Sequence, residues 1–464
     1  MSSSQEAIKA PTLNPSPEEE GRRRRESLPP RGEVGRGAWF LTLFAAEEIP
    51  AAIVTYVALL MLLQLGLAPA KATFFSALLF LPWVLKSFMR AWVRRVGYFR
   101  QQLHLIEVLL FVSLVLLAFS FKPTTIQLST VNYQLSTVNC QLSPFFALLL
   151  VSLLCAWHEL AARMYYERML RPVFQRLLTA PKMACSQVAV IFTYGALIFL
   201  VGTLEVYFRQ IRYSWAIGCY VAAGLFLLFT FHHFIWLQSP RVGDSGAKHS
   251  VGASVKAELR IIDRIRRQPN WWQPVLILFL LLLPQGLMFY ARVLYLYMSH
   301  EQGGLQCTMQ EIGFAQGTVG VIAFSIGLFV GRRLIKHYTL PRLFWPMALC
   351  IVLSPFVYLG MTVWPPQSLW QLCLCTMSAQ LLFGLGIGIC RLPVSAISGA
   401  RYRNTINMLQ IPLVSAALIV PMALSGWLVE QLGFSSYFLM NALSAPVCLL
   451  GIFLLKRREI PPTL

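Results

Sequence analysis

Charge is scarce in this chain. Only 12% of its 464 residues are Asp, Glu, Lys or Arg, against 57% that are hydrophobic. A soluble protein of this length could not hide so much apolar surface, which excludes an aqueous globular domain and leaves lipid as the solvent. Acidic residues are the scarcer half: 19 against 39 basic ones give a formal net charge of +20. That balance would suggest a nucleic-acid partner if a basic stripe with interleaved aromatics lay on a soluble segment, but none does. The basic residues sit in short loops beside apolar runs, where they set topology and meet anionic lipid headgroups.

Further absences narrow the chemistry. The ten cysteines include no CxxC pair and no His/Cys cluster with metal-ligand spacing, and most, such as Cys155, Cys219 and Cys390, fall inside apolar runs as small hydrophobes. No metal and no cofactor is expected. GxSxG, GxxxxGK[ST] and HExxH are all missing, so no motif for hydrolytic or nucleotide chemistry points to an enzyme. The first 37 residues are polar and Pro-rich with no apolar h-region, so they read as a disordered cytoplasmic tail rather than a signal peptide.

What is present is a series of apolar runs, each about 20 residues long, the length that crosses a bilayer. They fall near 38–65, 72–93, 103–121, 144–165, 185–207, 214–236, 274–299, 312–335, 341–363, 368–391, 408–430 and 435–455. Lys and Arg alternate across them. Arg90, Arg94, Arg95 and Arg100 follow the second run, Arg168 and Arg171 the fourth, Arg332 and Arg333 the eighth, and Arg401 and Arg403 the tenth, whereas the odd-numbered gaps hold little beyond Lys71, Lys122, Arg209 and Arg212. Cytoplasmic loops retain such residues, so both termini are expected in the cytoplasm of a multi-pass protein of the cell inner membrane. The longest polar interruption, 238–273, divides the runs six and six. The resulting organisation is a bundle over 38–237, a cytoplasmic linker over 238–273, a bundle over 274–455 and a cytoplasmic tail over 456–464. This is the layout of the major facilitator superfamily: an all-α membrane protein with twelve transmembrane helices in two six-helix bundles around a central cavity.

Between the third and fourth runs a heptad is copied in tandem, Gln127 to Tyr133 followed by Gln134 to Cys140 and a partial third copy to Ser143. With only Leu and Val as apolar positions it is too short for a coiled-coil seam. Residues 122–143 therefore read as a periplasmic surface loop.

Ionisable residues inside the runs are costly in lipid and mark a bundle interior or a wet cavity. Glu47 and Glu48 lie near the middle of the first helix; neighbours differ by about 100° in direction, so one can face a cavity while the other meets a neighbouring helix. His158 and Glu159 lie in the fourth, with Arg163 one turn beyond for an i,i+4 pair. Arg292 follows Pro284-Gln285-Gly286 in the seventh, where the helix is expected to bend. Glu47, Glu48, His158 and Glu159 are the candidates for binding a coupling proton. Lys86 and Arg292 are candidates for contacting a solute, and Arg94, Arg95, Arg332 and Arg333 for gating. His232 and His233, closing the sixth helix, read as interfacial.

Four short stretches carry a family likeness, in order along 40–455. Leu81-Pro-Trp-Val-Leu-Lys86 resembles the L-P-[YW]-x-x-K stretch of AmpG-type permeases, the muropeptide importers grouped with acetyl-CoA transporters. Phe44 to Pro50 sits where that family has F-x-x-G-L-P, Glu311-Ile-Gly313 opens the eighth helix, and Ser425 to Gly433 looks like its G-W-x-V-E-x-x-G ending to the eleventh. Met89, Ala91 and Arg94 replace the family's tryptophan, proline and aspartate, and Glu48 replaces a glycine. The likeness implies a proton-coupled secondary transporter that imports an anhydro-muropeptide for cell-wall recycling, working as a monomer with a small-molecule solute, protons and lipid as partners. The departures keep another organic anion, a sugar or an effluxed drug open as cargo, with a membrane-embedded transferase as the reading from another class.

Overall fold

The computed structural model describes residues 39–96, 98–121, 133–170, 172–238, 251–268, 270–398 and 403–456. The expected tail over 1–37, all but the start of the tail over 456–464, the first half of the repeat loop and the beginning of the linker lie outside the described residues. Among the described residues eleven helices are long and apolar enough to cross a bilayer. In chain order they are α1 (Trp39–Gln64), α2 (Pro69–Arg90), α3 (Phe99–Ser120), α4 (Ser143–Met169), α5 (Thr179–Phe208), α6 (Ile211–Trp236), α7 (Trp272–Tyr297), α8 (Met309–His337), α9 (Arg342–Val363), α10 (Leu369–Val394) and a last stretch, Gln410–Leu454. That stretch is 45 residues long, about twice what one crossing needs. It is interrupted at Gly433, whose φ of 71° and ψ of 162° lie off the helical path in a region that favours glycine. The residues before and after it form α11 and α12, which makes twelve spans.

The first six pack on one another, α3 against α4 and α6, and α1 against α4, α5 and α6. In the second six, α10 packs against α8 and α9, and α7 against α11 and α12. Gly327 and Gly331 on α8 make one of these contacts possible: a Cβ on either would press into the backbone of α10 at Leu381 and Leu385, the close approach that a small-xxx-small face permits. α7 continues as one helix through Pro284, without a break.

Two seams join the halves. Along the first, α5 crosses α8 backbone to backbone, since a Cβ on Gly317 would collide with the Tyr194 carbonyl and one on Gly313 with Gly195. Along the second, α2 meets α11: Gly426 lies against Pro69, the Glu430 carboxylate accepts from the Ala70 amide at 2.9 Å, and the Thr73 hydroxyl lies 3.4 Å from the Ala423 carbonyl oxygen. The α2–α11 contacts lie at one end of the molecule, at the start of α2 and the end of α11, and the α5–α8 crossing runs from there to the middle of α5. Arg90, Arg94, Arg163, Arg332 and Arg333 belong to the other end, hereafter the basic end, where the linker helix Val251–Arg266 packs on the continuation of α2.

The repeat departs from expectation. The helix leading into α4 begins at Tyr133 and includes Gln134 to Ser143, so this half of the anticipated loop is helical. Pro144, which favours a first turn, suggested a start there, but nothing in 133–143 is a strong helix breaker and the helix continues through the proline. Deleting Gln134 to Cys140 removes turns preceding the membrane span and shifts the remaining helical face by only about 20°. The deletion protein is expected to express, insert and elute from a sizing column like the intact one; loss of the folded species would show that the extension is structural.

Candidate functional site

Between the halves lies a cavity of about 280 Å³. Its walls come from α1 (Glu48, Tyr56), α5 (Gln187, Tyr194), α7 (Phe289, Arg292), α8 (Gln316, Phe324) and α10 (Gln380, Phe383). Three of these side chains ride on π-helical turns, Tyr56 within Ile53–Val57, Tyr194 within Ile191–Ala196 and Gln316 within Gly313–Gly320. Such turns loosen the backbone ladder and are frequent at functional sites. Pro50 precedes the first of them and supplies no amide donor; three glycines lie in the third.

Arg292 dominates one wall. It is 7% exposed, its guanidinium carbon lies 5.2 Å from the centre of the Phe289 ring, and its Nε has no hydrogen-bond partner among the described residues. Nor does any carboxylate among them lie within ion-pair distance. Such burial does not fit an arginine that snorkels to the membrane interface. The tyrosines Tyr56, Tyr194 and Tyr358 surround it electrostatically, and Tyr56 stacks on Tyr194 and Phe289 with centroids 5.0 and 5.8 Å apart. An amide chain fixes the α8 and α10 wall: Gln316 Nε2 donates to the Tyr358 hydroxyl at 2.9 Å, and Gln380 Nε2 reaches Gln316 Oε1 at 3.5 Å. On the opposite wall Glu48 hydrogen-bonds Ser186. A buried cation with unused donor capacity, a carboxylate across from it, amides and flat aromatic faces can hold a solute that carries an anionic group together with amide or hydroxyl groups and an apolar face.

Glu47 turns away from this cavity. It belongs to a second charge group on the basic-end side, with Glu48, Glu159, Lys86 and Lys182. Lys86 forms an ion pair with Glu159, whose other oxygen accepts from Trp83 Nε1 at 3.1 Å. Pro82 makes this geometry possible: the α2 helix breaks around Leu79 and Phe80, and the Leu79 carbonyl is taken up by the Ser152 hydroxyl of α4. Glu159 is thus paired with Lys86 while Arg163 also acts on it electrostatically, and an anionic solute would have to compete with Glu159 for the lysine. Lys182 of α5 stands 3.5 Å over the Phe44 ring.

A further cavity, about 380 Å³, opens at the basic end between Lys86, Arg90, Arg94, Arg163, Glu167 and Ile411 of α11. Of the gating candidates, Arg94 lines it. Arg332 and Arg333 are exposed at the end of α8, with Arg391 near Arg332. Arg95 has a helical backbone, and its side chain lies outside the described residues. His158 faces neither cavity. One residue along a helix turns the side chain by about 100°, and His158 points to α3 and α6 while Glu159 points to α2. Its partner there, Glu107, went unnoticed in the sequence; His233, expected at the interface, is fully buried and shares that carboxylate.

The stretches that carried the family likeness make inter-helix contacts or a cap. Trp83 and Lys86 both hold Glu159, Gly426 and Glu430 form the α2–α11 seam, and Glu311 closes a capping box with Thr308 at the start of α8.

No family model and no curated protein sequence matches the chain. Solved structures do. A bacterial homologue of the human lysosomal transporter Spinster, in an inward-facing, unoccupied conformation, aligns with a TM-score of 0.66 at 14% identity over 92% of this chain and 97% of that one. A POT family transporter in complex with a thioalcohol-conjugated peptide gives 0.66 at 13% identity over 93% and 99%. A D-xylose–proton symporter gives 0.60 at 14% identity over 88% and 95%. Twelve spans, two six-helix halves and this likeness over nearly the whole length of each chain give the major facilitator fold.

Proposed function

We propose that the protein is a proton-coupled secondary transporter of a small organic anion that bears amide or hydroxyl groups, and not an enzyme. The observation that carries this reading is Arg292, buried on one wall of the inter-half cavity with no carboxylate partner among the described residues, while Glu48 stands on the other. A cation in such a place is costly unless an anion visits it. The two seams close one end and the basic cavity lies at the other, which supports a form open to the basic end. The distribution of Lys and Arg favours a cytoplasmic position for that end and for both termini. Alternating access then rocks the halves around the cavity.

Within this reading the AmpG-type stretches favour an anhydro-muropeptide, a solute rich in amides, hydroxyls and carboxylates. The cavity's 280 Å³ sits at the small end of ligand pockets, which run to about 1,000 Å³. A muropeptide would therefore place only part of itself against Arg292 in this form, with the rest in the basic-end cavity.

Uptake into proteoliposomes decides between these readings. Saturable uptake of carboxylate-bearing solutes, accelerated by a pH gradient and lost in Arg292→Gln, is the expected outcome. A neutral sugar carried as well as the anions would overturn the anion assignment. Transport of small anions without complementation of a muropeptide-permease-deficient cell, by a protein shown to be inserted, would remove the muropeptide.

A further inference from the structure

A fully buried cluster of titratable groups lies inside the first half, behind the cavity walls. Glu107 of α3 places one carboxylate oxygen 2.6 Å from His233 Nδ1 of α6 and 3.3 Å from His158 Nε2 of α4, and none of the three side chains is more than 1% exposed. The other Glu107 oxygen and His158 Nδ1 have no hydrogen-bond partner among the described residues. His233 Nε2 continues the chain to the Thr42 hydroxyl of α1 at 3.1 Å, and that hydroxyl lies 3.0 Å from His232 Nδ1, on a half-buried ring beside Trp236. It also lies 3.0 Å from the Trp39 carbonyl oxygen.

Donor counting shows that this arrangement has two proton states. A hydroxyl has one proton to give. If Thr42 gives it to the Trp39 carbonyl, both histidines must donate to Thr42. His233 then carries protons on both ring nitrogens and faces Glu107 as an imidazolium against a carboxylate. If instead Thr42 turns its proton to His233 Nε2, the ring is neutral, and its Nδ1–H alone serves Glu107. The two states differ by one proton and a hydroxyl rotation. The proton adds to His233 Nε2 and takes the cluster, with Glu107 ionised, from one net negative charge to none. A lone carboxylate at zero exposure is costly, so the cluster has reason to take up a proton, and His158 Nε2–H serves Glu107 in either state. The other groups facing it are Arg100 and His104 of α3, the latter electrostatically linked to Glu107 and His233. Glu159 is committed to Lys86.

We propose that Glu107, His158 and His233 form a second proton-binding site, separate from the carboxylates at the cavity and loaded through His232 and Thr42 from the basic end. All its members belong to one half, so rocking of the halves does not switch its access. It registers the pH at one face of the membrane and does not carry protons across. It backs onto α1 and α4, the helices that carry Glu47, Glu48 and Glu159.

Ring-nitrogen magnetic resonance of histidine-labelled protein in lipid nanodiscs tests this without any transport assay, so it stands or falls apart from the proposed function. Among the seven histidines, one ring is expected to show both a neutral and a doubly protonated form as pH is varied, hydrogen-bonded to a carboxylate in the protonated form. Glu107→Gln should abolish that conversion. Thr42→Val, close in size and without a hydroxyl, should preserve the His233–Glu107 bond and slow exchange of the proton with water several-fold. A wild-type spectrum in which the buried rings keep one form throughout would overturn the site, even if Glu107→Gln fails to fold. Unchanged exchange in Thr42→Val would overturn the route.

Discussion

Lys86→Met is expected to lower the stability of the folded protein by about 3–5 kcal/mol, the cost of leaving one member of a buried ion pair without the other. Lys86 is 6% and Glu159 16% exposed at the side chain, so little water reaches the carboxylate once the ammonium is gone. Trp83 Nε1 would remain as a neutral hydrogen-bond donor to it. The double variant Lys86→Met/Glu159→Gln should recover most of the loss, because a neutral amide can keep the Trp83 contact without an unpaired charge. Thermal unfolding in detergent measures both. A single variant as stable as the native protein, or a double variant no better than the single, would place the lysine's role elsewhere, in solute contact, and then solute binding and exchange should weaken together.

Glu48→Gln is expected to abolish uphill accumulation driven by a pH gradient, bringing the internal solute to no more than the external concentration, while counterflow exchange persists. Exchange needs the rocking motion but no net proton transfer, so a lost coupling group spares it. Glu47→Gln should do less: its carboxylate lies off the cavity, beside Lys182 and Glu159. Full accumulation in both single variants and in the double variant would make these carboxylates structural and move the search to Glu159.

The helices were legible in the sequence because length and hydropathy alone determine a bilayer crossing; each expected run lies within a few residues of an observed span. Much less was legible about partners. Adjacent residues on one helix face different neighbours, and a linear reading cannot tell that His158 looks toward α3 while Glu159 looks toward α2. Glu107 was passed over because a single acidic residue near a helix start resembles an interfacial one until three other helices are seen to close around it. Nor does the sequence show that Lys182, close after the basic residues that follow α4, lies against Phe44 of α1. Arg292 and Glu48 were picked out by the cost of charge in lipid, and they line the same cavity.

The seams that close one end are built from different materials. The α5–α8 crossing is glycine backbone on backbone, with no ionisable group among the contacts described for it. The α2–α11 seam contains the Glu430 carboxylate against the amide end of α2, where a helix dipole favours negative charge. High salt, which screens that charge, therefore acts on one hinge line and not on its counterpart. Under such conditions the closed end would come apart unevenly, swinging open from the α2 side like a door while the glycine crossing still serves as the jamb.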